Sequence, residues 1–198
     1  MTLVKVCGIT TLEDALQAAE AGADALGFNF WPRSPRYIEP GAAQAIVERL
    51  PGNVLTVGVF VDEPAERVKE LARGAGMEVA QLHGECEAPQ MRWWQALPAT
   101  AERIRERMEE SGAEAFLIDT PAGEMRGGTG RTFDWGLAAG LPGRIVLAGG
   151  LGPDNVAAAI KAALPWGVDA CSRLEREPGR KDHAKVAAFV RAVRQTEL

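Results

Sequence analysis

The sequence predicts an α/β protein, a closed (β/α)8 barrel that forms one compact domain over residues 1–198. Short apolar segments alternate with amphipathic ones from end to end, which indicates βα units sharing a parallel sheet. Several apolar segments also end in a reactive or glycine-rich stretch, and such barrels collect their chemistry at the carboxyl ends of separate strands. The main alternative, an open doubly wound sheet, usually has fewer strands and a G-x-G-x-x-G after the first one, where this chain reads Cys7-Gly8-Ile9-Thr10.

Eight strands and eight helices are expected in alternation. The predicted strands are 3–7, 24–30, 54–61, 78–83, 93–97, 115–119, 144–148 and 168–171. The predicted helices lie at about 11–21, 40–50, up to residue 75, between 85 and 92, 101–110, 134–139, from Pro153 onward and 182–194. Thr11-Leu12-Glu13-Asp14 resembles a capping box, and Gly22 is suited to end the helix that it begins. Pro40 and Pro153 each suit the first position of a helix.

Composition narrows the class of protein. With 46% hydrophobic and 25% charged residues, this is an ordinary globular chain, and a net charge of −5 gives no reason to expect a nucleic-acid partner. No apolar segment approaches the roughly 20 residues that a membrane span needs, so we expect no membrane partner. Three cysteines without a C-x-x-C pair, and no signal peptide, predict a reduced, cytoplasmic protein. The two histidines show no metal-ligand spacing with the cysteines, and we expect no metal.

Cys7 is the first candidate for chemistry, because it ends the first strand. Cysteine is often only a small buried hydrophobe, which is the structural alternative. Side chains alternate along a strand, so Lys5 and Cys7 share one face, and a buried lysine needs a partner. Strand eight neighbours strand one in a closed barrel and offers Asp169. We therefore expect Lys5 to pair with Asp169 and to lower the pKa of the Cys7 thiol.

Asp119 ends the sixth strand and is the second candidate. It could be a helix cap or a solvated loop carboxylate. However, it follows a purely apolar strand that lies across the barrel mouth from the first. A thiol and a carboxyl that face each other over one cavity can remove a proton on one side and donate one on the other.

Three loops offer ligand contacts. Gly149 and Gly150 follow strand seven and Ser172 follows strand eight, where barrels usually hold a phosphate. Arg36, in a loop stiffened by prolines, suits bidentate capture of a carboxylate, although most loop arginines are simply solvated.

Two further segments contain residues that suit contact with a ligand. His83 shares a face with Gln81 at the end of strand four and could touch a ligand or be a satisfied core histidine. The loop 127–132, Gly-Gly-Thr-Gly-Arg-Thr, fails the spacing of a P-loop, and we interpret it as a mobile lid.

Motifs along nearly the whole chain form one ordered set. They are Lys5-Val6-Cys7-Gly8-Ile9-Thr10, Ser34-Pro35-Arg36, Val57-Gly58-Val59-Phe60-Val61, Gln81-Leu82-His83-Gly84, Gly127-Gly128-Thr129-Gly130 with Phe133-Asp134-Trp135, Leu147-Ala148-Gly149-Gly150-Leu151 and Lys181-Asp182. This set resembles the phosphoribosylanthranilate isomerase family of tryptophan biosynthesis.

The resemblance implies an Amadori rearrangement of a phosphorylated sugar, catalysed in a barrel without cofactor or metal by a monomer or homodimer. It implies Cys7 as the general base that takes the C2′ proton and Asp119 as the general acid that protonates the furanose ring oxygen. Arg36 would hold the anthranilate carboxylate, and the loops at Gly149-Gly150 and after strand eight would hold the phosphate.

One position departs from the family pattern. The family usually reads Ser-Ser-Gly-Val-Glu after strand eight, and this chain reads Cys171-Ser172-Arg173-Leu174-Glu175. Arg173 removes the freedom of a glycine where backbone should approach phosphate, or adds a charge-assisted contact to it. Two alternatives remain at this stage: the related isomerase of histidine biosynthesis, whose chemistry resembles an aspartate pair, and a catalytically silent barrel that binds a phosphorylated ligand.

Overall fold

Eight parallel strands close into a barrel in the computed structural model, which describes residues 1–100, 103–120 and 132–196. The strands neighbour one another in sequence order, and β8 returns to β1. Their bounds are β1 Leu3–Cys7, β2 Ala25–Asn29, β3 Leu55–Val61, β4 Val79–His83, β5 Trp93–Pro98, β6 Ala115–Asp119, β7 Ile145–Leu147 and β8 Gly167–Ala170. The predicted fold class, a (β/α)8 barrel, is confirmed.

Helices cover the outside of the barrel. Their bounds are α1 Leu12–Glu20, α2 Pro40–Val47, α3 Ala65–Gly74, α4 Ile104–Glu109, α5 Val156–Ala163 and α6 His183–Gln195. Single 3₁₀ turns occupy Trp135–Ala138 and Ser172–Leu174. The largest apolar cluster lies between the sheet and these helices, where Val4 and Val6 of β1 are fully buried.

Two of the eight predicted helices are not formed as α-helices, and a third begins later than predicted. Residues 84–92 connect β4 to β5 without a helix, because the segment is short and Pro89 neither donates a hydrogen bond nor favours helix in the residue before it. The helix expected at 134–139 is a single 3₁₀ turn that Asp134 caps. The helix expected to begin at Pro153 begins at Val156.

The side chain of Asn155 explains that late start. It accepts a hydrogen bond from the Gly152 amide at 2.8 Å and donates one to the Gly150 carbonyl at 2.9 Å. The loop after β7 is therefore closed on itself before the helix begins.

A short antiparallel hairpin after β8 was not predicted. Its strands, β9 (Glu175–Glu177) and β10 (Arg180–Lys181), place Lys181 opposite Glu175. Two strands of two or three residues carry too little alternation to be recognised in a sequence.

Tryptophans close the barrel at its amino-terminal end. Trp94 is fully buried at the start of β5 and packs edge-to-face on Trp166, which precedes β8, with ring centroids 5.9 Å apart. Because this end is filled with apolar side chains, the open space of the barrel lies at the carboxyl ends of the strands.

Candidate active site

A cavity of about 870 Å³ opens at the carboxyl ends of the strands. Side chains from the ends of several strands and the loops after them line it, among them Cys7, Asn29, Arg33, Arg36, Val61, Gln81, His83, Leu117, Asp119, Asp169 and Cys171. The two residues predicted to exchange protons, Cys7 and Asp119, thus line one cavity.

Lys5 lies beneath the thiol, as the alternation of β1 predicted. Its side chain is fully buried, and its Nζ lies 2.8 Å from Oδ1 of Asp169, with which it is in register across β1 and β8. Burial opposes the charge of Lys5, but Asp169 and Cys7 outweigh it and raise the pKa of the ammonium above its usual value. The predicted ion pair is present, and it places a permanent cation near the sulfur.

The pKa of Cys7 is lowered to about 7, and the strongest cause is its interaction with the neighbouring Cys171 thiol. Burial acts in the opposite direction, and Lys5 contributes a further lowering. The expectation that Lys5 lowers the thiol pKa therefore identifies a contributor, but not the largest one. The pKa of Cys171 moves the other way, because its interaction with Cys7 and its burial raise it well above the usual value.

Gly27 makes room for this buried pair. It is in register with Cys7 on the neighbouring strand β2. A Cβ at this position would lie 2.7 Å from the Cys7 sulfur and 3.0 Å from the Lys5 ammonium nitrogen, closer than real contacts allow. Sequence reasoning missed Gly27, although a glycine inside a strand is itself a signal of close approach by another group.

Asp119 ends β6 at the cavity wall. Withdrawal from water raises its pKa to about 6, although the Thr120 amide donates a hydrogen bond to its Oδ1 at 2.7 Å and acts in the opposite direction. A carboxyl with this pKa keeps a proton in roughly a tenth of the molecules at pH 7, far more than a carboxyl with its usual pKa. It can therefore donate a proton to a ligand.

Gly149 allows Asp119 to reach this position. The glycine has a φ of +83°, and a Cβ on it would lie 2.9 Å from Oδ1 of Asp119 and 2.8 Å from the Thr120 amide nitrogen. A side chain at position 149 would displace the end of β6. Gly149 therefore has a packing role beside the ligand role that its sequence context predicted.

Arg36 crosses the cavity wall and is held by Glu175. Its Nε donates to Oε1 at 3.0 Å and its Nη2 donates to Oε2 at 2.8 Å, so that the ion pair is bidentate. Glu175 in turn accepts from the buried Lys181 ammonium at 3.0 Å. No sequence pattern predicted this network, because the hairpin that brings Lys181 back to Glu175 was not predicted.

His83 and Gln81 both line the cavity, and their Nε2 atoms lie 2.8 Å apart. Gln81 is almost fully buried, and its Oε1 has no hydrogen-bond partner among the residues that the structure describes. A buried acceptor of this kind is costly unless a ligand supplies a donor. The pair therefore adds a polar contact to the cavity wall.

The residues predicted to hold phosphate lie on the loops after β7 and β8, beside the cavity-lining residues Asp119 and Cys171. Arg173, from the loop after β8, donates to both oxygens of Asp154 at 2.7 and 2.9 Å and to the Gly150 carbonyl at 3.3 Å. It thereby ties this loop to the loop after β7. Ser172 begins the 3₁₀ turn that carries Arg173.

Residues 127–131 of the predicted lid lie outside the residues that the structure describes. Across the described ranges, no three His, Cys, Asp or Glu side chains are grouped so that they could hold a metal ion. No helix among the described residues is both long and apolar enough to span a membrane.

A closed parallel barrel with a titratable thiol and carboxyl in one cavity at its carboxyl-terminal mouth defines a class, the barrel enzymes that work by proton transfer. The model of the N-(5′-phosphoribosyl)anthranilate isomerase family matches residues 4–192. The chain belongs to this family of aldose–ketose isomerases of tryptophan biosynthesis, as the motifs predicted.

Individual relatives are similar to this chain over almost their whole length. The N-(5′-phosphoribosyl)anthranilate isomerase of Solibacter usitatus is 49% identical over 197 residues and 97% of each chain. A phosphoribosylanthranilate isomerase solved with reduced 1-(o-carboxyphenylamino)-1-deoxyribulose 5-phosphate is 37% identical, with a TM-score of 0.85 over 98% of this chain and 100% of that one. A structure of monomers made from the dimeric isomerase of Thermotoga maritima is 38% identical, with a TM-score of 0.84 over 98% of this chain and 100% of that one.

Proposed function

We propose that this chain converts N-(5′-phosphoribosyl)anthranilate to 1-(2-carboxyphenylamino)-1-deoxyribulose 5-phosphate in the cytoplasm, by general acid–base catalysis. The observation that carries the proposal is the meeting of Cys7 and Asp119 in one cavity of a barrel that belongs to this family. The substrate is a small phosphorylated sugar derivative, and the chemistry requires only proton transfers.

Asp119 opens the sugar ring. As the bond between C1′ and the ring oxygen breaks, the nitrogen lone pair forms a C1′=N bond, and the ring oxygen takes the proton of the Asp119 carboxyl. The raised pKa of Asp119 supports this role, because a carboxyl with its usual pKa would hold almost no proton to donate near neutral pH.

Cys7 then removes the proton from C2′. The electron pair of that C–H bond forms a C1′=C2′ bond, and the electrons of the C1′=N bond return to nitrogen. The resulting enol loses its hydroxyl proton and gains one at C1′, which gives the ketone. A pKa of about 7 supports the role of Cys7, because a useful fraction of the thiol is ionised near neutral pH.

The remaining contacts orient the substrate. In this proposal Arg36 binds the anthranilate carboxylate, and His83 with Gln81 contacts the polar groups of the sugar. The loops that carry Gly149, Gly150, Ser172 and Arg173 bind the phosphate. Every one of these residues belongs to one chain, so we propose that the activity is the same in a monomer and in a homodimer.

A turnover assay tests the function. The purified chain is mixed with N-(5′-phosphoribosyl)anthranilate, and loss of the anthranilate fluorescence follows the rearrangement directly. Substrate binding without turnover would instead indicate a silent binding barrel. Turnover of only the histidine-pathway substrate, assayed in parallel, would reassign the chain to that isomerase.

The proposed roles of Cys7 and Asp119 are tested by alanine variants. We expect Cys7→Ala and Asp119→Ala each to lower kcat by at least about 10²–10⁴-fold while KM changes little, because general acid–base catalysis acts on the transition state. Cys86→Ala is the matched control, since that thiol lies outside the cavity lining. Near-normal kcat in either site variant would remove that residue from the mechanism.

A further inference from the structure

We propose that Glu175 is a positioning residue for carboxylate recognition: it holds the Arg36 guanidinium by one edge so that the other edge is presented to the substrate. The inference rests on the proposed function, because it takes the anthranilate carboxylate as the ligand of Arg36. It adds to that function a residue outside the cavity lining and a physical reason for the unpredicted hairpin.

The Arg36 guanidinium has two edges, and each of them can bind a carboxylate. A guanidinium has five N–H groups in one plane, arranged so that a carboxylate can bind along either of two edges. Glu175 occupies the edge formed by Nε and Nη2, with its oxygens at 3.0 and 2.8 Å. Within the described part of the chain no acceptor occupies the edge formed by Nη1 and the second N–H of Nη2, and Arg36 lines the cavity.

Glu175 is itself held rigidly by several hydrogen-bond donors. Its side chain is only 4% exposed, and it accepts from the Lys181 ammonium at 3.0 Å and from the Gly179 amide at 3.3 Å. The Lys185 ammonium binds its backbone carbonyl at 3.1 Å. All three donors lie within the β9–β10 hairpin or at the start of α6, so this hairpin builds a fixed anchor for Arg36.

The charges of Arg36 and its two neighbours also favour a carboxylate ligand. Arg36, Glu175 and Lys181 together carry a net charge of +1, and both Glu175 and Lys181 are buried. Glu175 and Lys181 neutralise each other, so the unbalanced positive charge lies on Arg36 at the cavity wall, where it attracts an anion. A ligand carboxylate on the free edge of Arg36 would bring the cluster to neutrality, which favours a carboxylate ligand over a neutral one.

Binding of two matched ligands tests the inference. The first is reduced 1-(o-carboxyphenylamino)-1-deoxyribulose 5-phosphate and the second is the same compound without its carboxyl group, both measured by isothermal titration calorimetry. We expect wild type to bind the carboxylated ligand more tightly. Glu175→Gln should weaken this binding by about 10–100-fold and leave the affinity for the second ligand within about twofold, because only the carboxylate contact is misplaced.

Two further variants separate positioning from folding. Glu175→Gln leaves the Lys181 ammonium buried without a carboxylate, so the double variant Glu175→Gln/Lys181→Met removes both charges and should lose the same ligand selectivity. Glu114→Gln breaks a comparable bidentate pair with Arg92, at the start of β6 and remote from the cavity lining, and should keep the selectivity of wild type.

The outcomes distinguish this inference from the proposed function. Wild-type selectivity retained in Glu175→Gln or in the double variant would overturn the role of Glu175 while leaving Arg36 as the carboxylate site. Equal binding of both ligands by wild type would overturn the carboxylate role of Arg36 and this inference with it. A rise in KM with little change in kcat for Glu175→Gln in the turnover assay is the corresponding kinetic result.

Discussion

The reactivity of Cys7 depends on a second thiol that sequence reasoning did not connect with it. Interaction with the Cys171 thiol lowers the pKa of Cys7 more than the neighbouring Lys5 ammonium does. The Cys171 thiol itself donates to Oε1 of Glu175 at 3.8 Å. At this scale, the activation of the base depends on a residue at the end of the neighbouring strand.

The effect of Cys171 on the pKa of Cys7 can be tested by removing the Cys171 thiol. We expect Cys171→Ala to raise the pKa of Cys7 and to reduce its thiolate population at pH 7 by roughly fivefold, since about 1.4 kcal/mol corresponds to a tenfold change in the ionisation constant. The rate of iodoacetamide alkylation, with the modified cysteine identified by mass spectrometry, measures this population as a function of pH. An alkylation profile of Cys7 that matches wild type would show that Lys5 suffices.

At the scale of elements, β1 and β2 form one unit in which a glycine on one strand accommodates two functional side chains of the other. Gly27 lies opposite Cys7, and any side chain there would overlap the sulfur. The strand can carry a thiol and an ammonium inside the barrel only because its neighbour carries none at this level.

We therefore predict that Gly27→Ala both destabilises the protein and lowers its activity. Overpacking a closely packed interior costs about 1–3 kcal/mol, and here the atoms that must move are the thiol and the ammonium. Urea unfolding measures the stability, and the turnover assay measures kcat. Gly41→Ala is the matched control, because a Cβ at Gly41 in α2 would meet no atom within 4 Å. Unchanged stability and activity in Gly27→Ala would contradict this account.

The elements also show where pattern reasoning succeeds. Each of the eight strands was predicted close to its observed place, because a strand buried on both faces is a short apolar run bounded by turn residues. The failures lie in the connections, where a proline at position 89 and a side-chain clamp from Asn155 outweigh the expected alternation of strand and helix. Such local hydrogen bonds compete with helix and leave no periodic signal.

At the scale of the whole molecule, closure of the barrel brings β1 and β6 to a common cavity, where the titrations of Cys7 and Asp119 meet. The pKa of Cys7 is about 7 and that of Asp119 is about 6. In the proposed mechanism Cys7 is active when ionised and Asp119 is active when protonated. The working form therefore needs Asp119, the group with the lower pKa, to keep its proton. Only a minority of molecules is in this form at any pH.

This order of pKa values predicts the pH dependence of kcat/KM. The thiolate fraction of Cys7 falls below a pH of about 7, and the protonated fraction of Asp119 falls above a pH of about 6. We expect a narrow bell with its maximum between these values, measured by the fluorescence assay across pH 5 to about 9. A broad plateau that extends above pH 8 would contradict the assignment of Asp119 as the acid.

The sequence by itself determined the order of the strands, the closed barrel, the family, and the residue types at the strand ends, including the pairing of Lys5 with Asp169. Each of these follows from periodicity and from the neighbour relations of a barrel, which are local or topological properties. The tertiary structure decided the interaction of the two thiols, the close approach at Gly27 and the bidentate pairing of Arg36 with Glu175, which Lys181 also contacts. These depend on distances between side chains that are remote in sequence, and no local pattern encodes such distances.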